Sequence, residues 1–450
     1  NTFYISCPID TYSGYGSRSR DFVKALVELD RFDIKILPQR WGNCAWGFIS
    51  EHEEEWGFLK PFLLDTNNLP EQPDIWCQIT VPNEFQKVGK FNIGLTAGIE
   101  TTHCAPQWLE GLNRMDLNLV SSEHSKKVFQ TTAFDHKDKN GNLVRQIKLE
   151  KPVKVLLEGA LTDLYKPLKR SELTYKELYN DINSIPEDFT FLFMGHWMQG
   201  NVGEDRKNLG MLIKIFYEKY KNKKNPPALI LKTSITNASL MGRTEILNRL
   251  NTIKKSVDST KLPNIYILHG DLNNKEINEL YNHPKVKAMV SLTKGEGFGR
   301  PLLEFSLTNK PIIASNWSGQ LDFLNPEFCA LVDGSLKPID KSAVIKDMLI
   351  PESQWFSPEP TNVSSALTSV TSNYKDWKVK AKRQGYHSRS NFSFDVMREV
   401  LGDILKESLP TIAKQVPLSL PKLKKINDNK EINKLPKLKL PKLKKVNNDR

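Results

Sequence analysis

The chain has 450 residues and a mass of 51.5 kDa, more than one ordinary core takes in at about 100–200 residues per domain, so two domains of similar size are expected. Hydrophobic residues make up 39% and mean hydropathy is −0.45, and no run approaches the roughly 18 apolar residues of a membrane-spanning helix, which excludes a helical membrane protein. The net charge of +12 is unevenly placed: Leu409–Arg450 holds eleven Lys and one Arg against three acids, a net +9 that leaves only +3 for the body, so any contact with a polyanion rests on that tail.

Phe3–Ser6 reads as the first strand. Phe22, Val23, Leu26, Val27 and Leu29 come close to helical spacing and predict a helix over Ser19–Leu29. Strands follow at Asp33–Leu37, Asp74–Ile79, Phe91–Leu95 and Leu117–Val120, with helices at Ala105–Leu112 and Glu123–Gln130. A second series begins after Pro167, with strands at Phe189–Met194, Ala228–Lys232, Ile265–Leu268, Ala288–Ser291 and Pro311–Ala314. Helices at Asn208–Tyr220, Arg243–Lys255, Lys275–Tyr281 and Pro301–Leu307 separate them. Such alternation predicts parallel sheets covered by helices on both faces, twice over. The chain therefore divides into a domain over 1–157, a hinge over 158–167 and a second domain over 168–391. An amphipathic closing helix over 392–408 and the basic tail over 409–450 complete it.

Asn1–Cys7 has neither the basic segment nor the long apolar run of a secretion signal. The five cysteines are odd in number, widely spaced and free of any C-x-x-C, which argues against a disulfide framework or a structural zinc site. They read as free thiols in a reducing compartment, and a cytoplasmic protein is expected. The eight histidines are scattered, with no metal-binding motif, so no metal is expected.

The strongest chemical signal is Lys294-Gly295-Glu296-Gly297-Phe298-Gly299-Arg300-Pro301-Leu302-Leu303-Glu304. It follows an apolar strand and precedes a helix that Pro301 is well placed to start. A glycine-rich turn of this kind lets backbone N–H groups approach an anion, and the helix dipole favours one there. Glu296 and Glu304 flank the turn with seven residues between them, and carboxylates accept hydrogen bonds from hydroxyls. The arrangement suits a sugar or ribose beside a phosphate; a surface loop with incidental acids is the plainer alternative.

In the form Glu-Gly-Phe-Gly-x-Pro-x-x-Glu, this segment resembles the signature of glycosyltransferase family 4, the group 1 enzymes. Pro311–Ser315 with Gly319 is similar to that family's next strand and glycine turn. Glu158–Pro167 is similar to its interdomain hinge and Phe392-Ser393-Phe394 to the start of its closing helix, so the likeness runs over roughly residues 3–407. The resemblance implies the α/β GT-B fold, two doubly wound, Rossmann-like parallel-sheet domains facing across a cleft. The first would lie on the acceptor side and the second would hold the nucleotide sugar. It further implies a retaining, metal-independent hexosyl or related transfer, with the nucleotide sugar as substrate and no cofactor.

Carried over by position, the resemblance gives Glu304 to the donor ribose and Glu296 to hydroxyls of the transferred sugar. Backbone amides of Phe298, Gly299 and Arg300 would line the diphosphate and sugar, and the Arg300 side chain is either a solvated helix start or an extra anion contact. Lys207 fits the family's diphosphate lysine. The family's arginine closely follows the strand glycine, where His196 stands, so Arg206 or Lys232 would supply that charge. These cations matter because a nucleoside diphosphate leaves with developing negative charge. Gly14 and Gly16, in the turn Ser13–Ser17, resemble the glycine loop near the donor phosphate. His103 is the match for a cleft histidine touching the transferred sugar, and His124 reads as structural.

The acceptor is not spelled out. A glycan or lipid-linked saccharide is favoured; a hydroxylated base in DNA, or a non-catalytic nucleotide-sugar-binding module, are the other readings, and the intact pair of glutamates argues against the module. In the tail, Leu420–Asn427 returns almost unchanged as Leu440–Asn447, with a partial copy at Leu435–Lys439. Its prolines forbid a continuous helix, and a disordered or extended segment is expected. It is a solvated tail, an arm gripping an anionic polymer such as DNA or an acidic glycan, or a contact for a membrane surface or protein partner.

Overall fold

The computed structural model describes residues 1–65, 69–235 and 238–411; the lysine repeats of the tail lie outside the described residues. Residues 1–410 form one compact unit built on two parallel sheets of six strands each.

The first sheet comprises β1 (Thr2–Cys7), β2 (Asp33–Pro38), β3 (Ile75–Ile79), β4 (Phe91–Leu95), β5 (Leu117–Val120) and β8 (Val153–Val155), in the order β2-β1-β3-β4-β5-β8. Its helices are α1 (Gly14–Leu29), the single turns α2 (Phe48–Glu51) and α3 (Glu53–Trp56), α4 (Pro106–Arg114) and α5 (Glu123–Thr131). Helix α1 starts five residues earlier than its apolar spacing predicts, because the Ser13 hydroxyl accepts the Gly16 N–H at 2.9 Å and caps it. Gly14 and Gly16 consequently lie in the first helical turn rather than in a loop before it. Between α5 and β8 runs an antiparallel hairpin, β6 (Ala133–Lys137) and β7 (Leu143–Lys148), which the βα reading did not foresee. Its turn carries Asn140-Gly141, with Gly141 at φ +84°, the left-handed backbone that hairpin turns demand.

The second sheet comprises β9 (Thr190–Met194), β10 (Ala228–Lys232), β11 (Ile265–Leu268), β12 (Val286–Ser291), β13 (Ile312–Ser315) and β14 (Ala330–Val332), in the order β11-β10-β9-β12-β13-β14. Successive side chains of these strands point to opposite faces. Phe191, Phe193, Leu229, Leu231 and Val290 enter a core closed by α7 (Leu209–Tyr220), α8 (Leu240–Lys255) and α11 (Pro360–Ser372). Leu192, Ile230, Met289 and Ile312 enter the opposite core, under α6 (Lys176–Asn183), α9 (Asn274–Asn282) and α10 (Arg300–Ser306). Both faces being covered explains why these strands are apolar throughout rather than alternating. A hairpin of β15 (Gly334–Pro338) and β16 (Gln354–Pro358) is inserted before α11, and the segment joining its strands packs on its own small core around Trp355.

After α12 (Tyr374–Asn391), the chain crosses back in α13 (Phe394–Ser408), which lies along α1. Ala160 and Ser393 bridge at the crossing, and a Cβ on Gly159 would stand 2.6 Å from the Phe394 Cα, so only glycine fits there. Arg18, 1% exposed, donates to the Leu156 and Leu157 carbonyls and ties α1 to the last residues of the first domain, just before the hinge. All five cysteines are free. Among the described residues no helix is long and apolar enough to cross a membrane.

Candidate active site

In an open doubly wound sheet, ligands bind beyond the carboxyl ends of the strands, where the strand order reverses. In the second sheet that reversal falls between β9 and β12. The loop leaving β9 brings Arg206 and Lys207; the loop leaving β12 brings the glycine signature. The two loops meet through side chains. Lys207 Nζ lies 2.5 Å from Glu296 Oε1, Arg206 Nη1 lies 3.3 Å from Glu296 Oε2, and Arg206 also donates to the Gly295 carbonyl at 2.9 Å. Asn208, in left-handed backbone at φ +55°, turns the chain into α7 immediately after these cations.

Glu296 is 8% exposed, its N–H is held by the Ser318 hydroxyl at 2.9 Å, and its carbonyl accepts from Gly319 N–H at 3.0 Å. Burial pushes its carboxyl up, but Lys207 and Arg206 together outweigh burial and hold it below the ordinary glutamate range. Burial lowers the Lys207 ammonium, with Glu296 opposing. Arg206 is held above its usual value, burial being overcome by Glu100 and Glu296. The cluster is thus a carboxylate and two cations, charged together, at the mouth of the second sheet.

The first domain presses on this cluster. A Cβ on Gly295 would stand 1.9 Å from the Glu100 carbonyl, and one on Gly297 would stand 2.2 Å from the Ala97 carbonyl. Glycine at these two positions serves the approach of the other lobe's backbone as well as the turn. Glu100, in the loop after β4, reaches across to Arg206 at 3.6 Å. Its side chain was not singled out in the sequence; its place beside the cluster comes from the docking of the lobes.

Glu304, 7% exposed, lies one turn into α10. Its Oε1 accepts from Arg300 Nε at 2.8 Å, while Arg300 Nη1 donates to Asp21 on α1. Arg300 is therefore not a solvated helix start: its guanidinium is committed to two carboxylates, one from each lobe. Burial pushes the Glu304 carboxyl up, with Arg300 pulling the other way. Gly299 sits at φ +99°, backbone that disfavours any side chain. Phe298 is a core residue, 3% exposed and packed against Phe323 and Phe392, so only its backbone faces the turn.

The remaining candidates are dispersed. Lys232 Nζ donates to the Gly270 carbonyl at 2.5 Å. His196 turns to the Ser234 hydroxyl at 2.8 Å. Gly16 packs on the loop after β1, where a Cβ would lie 2.4 Å from the Thr11 carbonyl, whereas Gly14 faces open space. His103 is not gathered into the cluster: it is exposed, with Nδ1 on the Thr102 hydroxyl at 2.9 Å and its N–H on the Ser353 hydroxyl at 3.0 Å. It marks the seam where the inserted hairpin meets the first domain. His124 lies edge-on to Trp317 at 4.7 Å across the same seam, and burial pushes its imidazole down to about 4, so it is neutral at physiological pH. Among the described residues no group of three or more His, Cys, Asp or Glu is placed to hold a metal.

Residues 201–350 match the sequence pattern of the family described as Glycosyl transferases group 1. Comparison with curated protein sequences gives no match. Among solved structures, the chain is similar to a glycosyltransferase from Rickettsia africae, at 14% identity over 91% of this chain and 99% of that one, with a TM-score of 0.56. It is similar to HepE of Anabaena, solved with UDP and glucose, at 12% identity over 90% and 99% with a TM-score of 0.57. A third is sucrose-phosphate synthase of Thermosynechococcus elongatus, at 10% identity over 90% and 99% with a TM-score of 0.56. At such identities the likeness speaks for the fold. The second sheet domain thus carries, over residues 201–350, a region that matches the group 1 glycosyltransferase pattern, in a chain whose two sheet domains have the GT-B fold.

Proposed function

We propose that the chain is a retaining glycosyltransferase that moves a sugar, a hexose or a close relative, from a nucleotide donor to a hydroxyl of a glycan or lipid-linked saccharide. The observation that carries this reading is the Glu296–Lys207–Arg206 cluster at the reversal of the second sheet. HepE of Anabaena is solved with UDP and glucose, and separately with UDP-glucose, which supports a nucleotide-sugar donor.

In a front-face transfer the anomeric carbon's bond to the leaving phosphate oxygen breaks. The acceptor oxygen bonds to that carbon on the same face, and its proton passes to the departing phosphate. Lys207 and Arg206 neutralise the charge that develops there, so that no metal or other cofactor is required. Glu296 accepts hydrogen bonds from hydroxyls of the transferred sugar and Glu304 from the ribose. Backbone N–H groups of Phe298, Gly299 and Arg300 line the diphosphate, with Lys232 and the turn around Gly14 and Gly16 at its margins. On the first domain, Glu100 rather than His103 faces the cluster, so the contact to the transferred sugar or the acceptor hydroxyl is assigned to Glu100. The hinge over 158–167 lets the lobes close on the donor and keep water from it.

A panel of nucleotide sugars, read for binding, hydrolysis and the anomeric-proton coupling of the product, tests this. Retained configuration is expected, and an inverted product overturns the mechanism. Binding without turnover leaves a non-catalytic module, and neither binding nor hydrolysis ends the enzyme reading. The five free thiols suit a reducing, cytoplasmic setting. The lysine repeats of 409–450 suit an anionic acceptor polymer. Removing them is expected to spare donor hydrolysis and reduce transfer to such an acceptor, most at low salt.

A further inference from the structure

The proposed chemistry gives no role to the side chains of Arg300 and Asp21, which form a buried charge cluster with Glu304. Arg300 bonds Glu304 through Nε at 2.8 Å and Asp21 through Nη1. The three side chains are 19%, 9% and 2% exposed, and Asp21 belongs to the other lobe. Two carboxylates so deeply buried are costly unless paired, and here they share one guanidinium. The planar fork allows Nε and Nη1 to serve two acceptors in fixed directions, which a lysine ammonium on a flexible stem does not. The Asp21 end is itself pinned: three residues earlier on α1, Arg18 donates to the carbonyls of Leu156 and Leu157, just before the hinge.

We propose that Arg300 is a positioning residue that ties the ribose-binding carboxylate of Glu304 to Asp21 in the opposite lobe, so that nucleotide affinity and the arrangement of the lobes form one equilibrium. This rests on Glu304 being the ribose ligand. With Oε1 held by Arg300, the carboxylate offers Oε2 to a ribose hydroxyl at a set angle. When the lobes part, Arg300 loses Asp21, its fork is free to turn, and Glu304 loses that orientation. By linkage, whatever steadies the Asp21–Arg300 contact tightens nucleotide binding, and a bound nucleotide holds the lobes together.

The full chain would be titrated calorimetrically with UDP, GDP and ADP, and then with the 2′-deoxy form of the tightest binder. The wild type is expected to prefer the ribonucleotide. Asp21→Asn, which alters a residue given no part in donor binding, is expected to weaken ribonucleotide binding about tenfold, equivalent to about 1.4 kcal/mol, and to erode the ribo-over-deoxy preference. Arg300→Lys is expected to do the same while keeping the charge, and the double variant is expected to be no worse than either single one. If Asp21→Asn folds poorly, Arg300→Lys alone carries the test. A ribo-over-deoxy ratio unchanged from wild type in a folded Asp21→Asn or Arg300→Lys protein overturns the proposal. The underlying reading has its own control. If Glu304→Gln leaves that ratio unchanged, or if the wild type binds none of the three nucleotides, the assignment of Glu304 to ribose fails and this proposal fails with it.

Discussion

In the second sheet the strand order reverses between β9 and β12, and the loops leaving those strands present Arg206, Lys207 and Glu296 to one another. In the first sheet it reverses between β1 and β3, and the arginines nearby are used differently. Arg20 is 4% exposed, donates to the Ile9 and Thr11 carbonyls at 2.8 and 3.0 Å, and lies 3.5 Å from the Phe48 ring centre. Arg18 is bonded to the Leu156 and Leu157 carbonyls. Both sheets share the doubly wound plan, yet one lobe offers its cations to a site while the other spends them on its own backbone carbonyls. A cation paired with a carboxylate at a loop mouth can exchange that partner for a phosphate. A cation surrounded by backbone carbonyls has nothing to exchange. Topology marks where a ligand crevice lies in each lobe, and the partner of the cation decides which crevice has a cation to offer an anion.

The comparison breaks most sharply at Glu296. Glu296→Gln is expected to lower sugar transfer by about a thousandfold in product assays, because it removes the contact with the reacting sugar proposed above. UDP binding by the same variant is expected to tighten, since the carboxylate that neutralises Lys207 and Arg206 is gone; weaker UDP binding would mean that these cations do not meet the diphosphate. Lys207→Ala follows, with transfer reduced about a hundredfold and nucleotide affinity falling with it.

Arg20→Ala sharpens the contrast from the other lobe. It strands two backbone acceptors and is expected to cost about 1–3 kcal/mol of stability in denaturant titration, while the kcat of the surviving folded protein stays near wild type. A hundredfold loss of kcat would erase the distinction between the lobes. Gly295→Ala tests the seam: its Cβ would meet the Glu100 carbonyl at 1.9 Å, so about 1–3 kcal/mol is expected to be lost, with a larger radius in small-angle scattering as the lobes splay.

The smallest effect concerns Asp205, next to the cations, whose carboxyl burial pushes up to about 6. Folded protein holds that proton to higher pH than unfolded chain does, so its contribution to stability is present below about pH 4 and lost as pH rises toward 6. Asp205→Asn keeps an oxygen for the Leu209 N–H, now bonded at 3.2 Å, and removes the titration. Relative to wild type, the melting temperature of the variant is expected to rise from pH 4 to 6.5 and then level off, a gain of order 1 kcal/mol. A difference that is flat with pH would show that Asp205 titrates normally.

Much of this molecule was readable before folding. Strands such as Phe91–Leu95, Leu117–Val120, Ala228–Lys232 and Ile265–Leu268 stand where their apolar runs lie. Covered sheets require such runs, and local composition reports them. The glycine signature was equally legible, because a left-handed turn at Gly299 needs glycine whatever surrounds it. Other features were present in the sequence and passed over. Ser13 is a capping residue placed to start α1 at Gly14, and Asn140-Gly141 lies in the turn of the β6–β7 hairpin.

What no local pattern holds is the identity of partners distant in the chain. Glu296 acquires its cations from 89 and 90 residues away, and Arg300 acquires Asp21 from 279 away. The same separation hid the use of Gly295 and Gly297, whose missing side chains admit the backbone of the other lobe as well as shaping a turn. It also left His103 a plausible cleft residue, when the docking of the inserted hairpin holds it at Ser353 and leaves Glu100 beside the cluster. Periodicity, turn chemistry and the signature are properties of a few neighbouring residues, so most strands of the two sheets and the candidate glutamates could be read from the chain alone, while the short edge strands β8 and β14 could not. Which charges those glutamates meet depends on loops brought together at the mouth of the second sheet, for Glu296, and on the docking of the first domain, for the Arg300 that Glu304 shares with Asp21. Both are long-range packing, which no run of neighbouring residues encodes and only the tertiary structure decided.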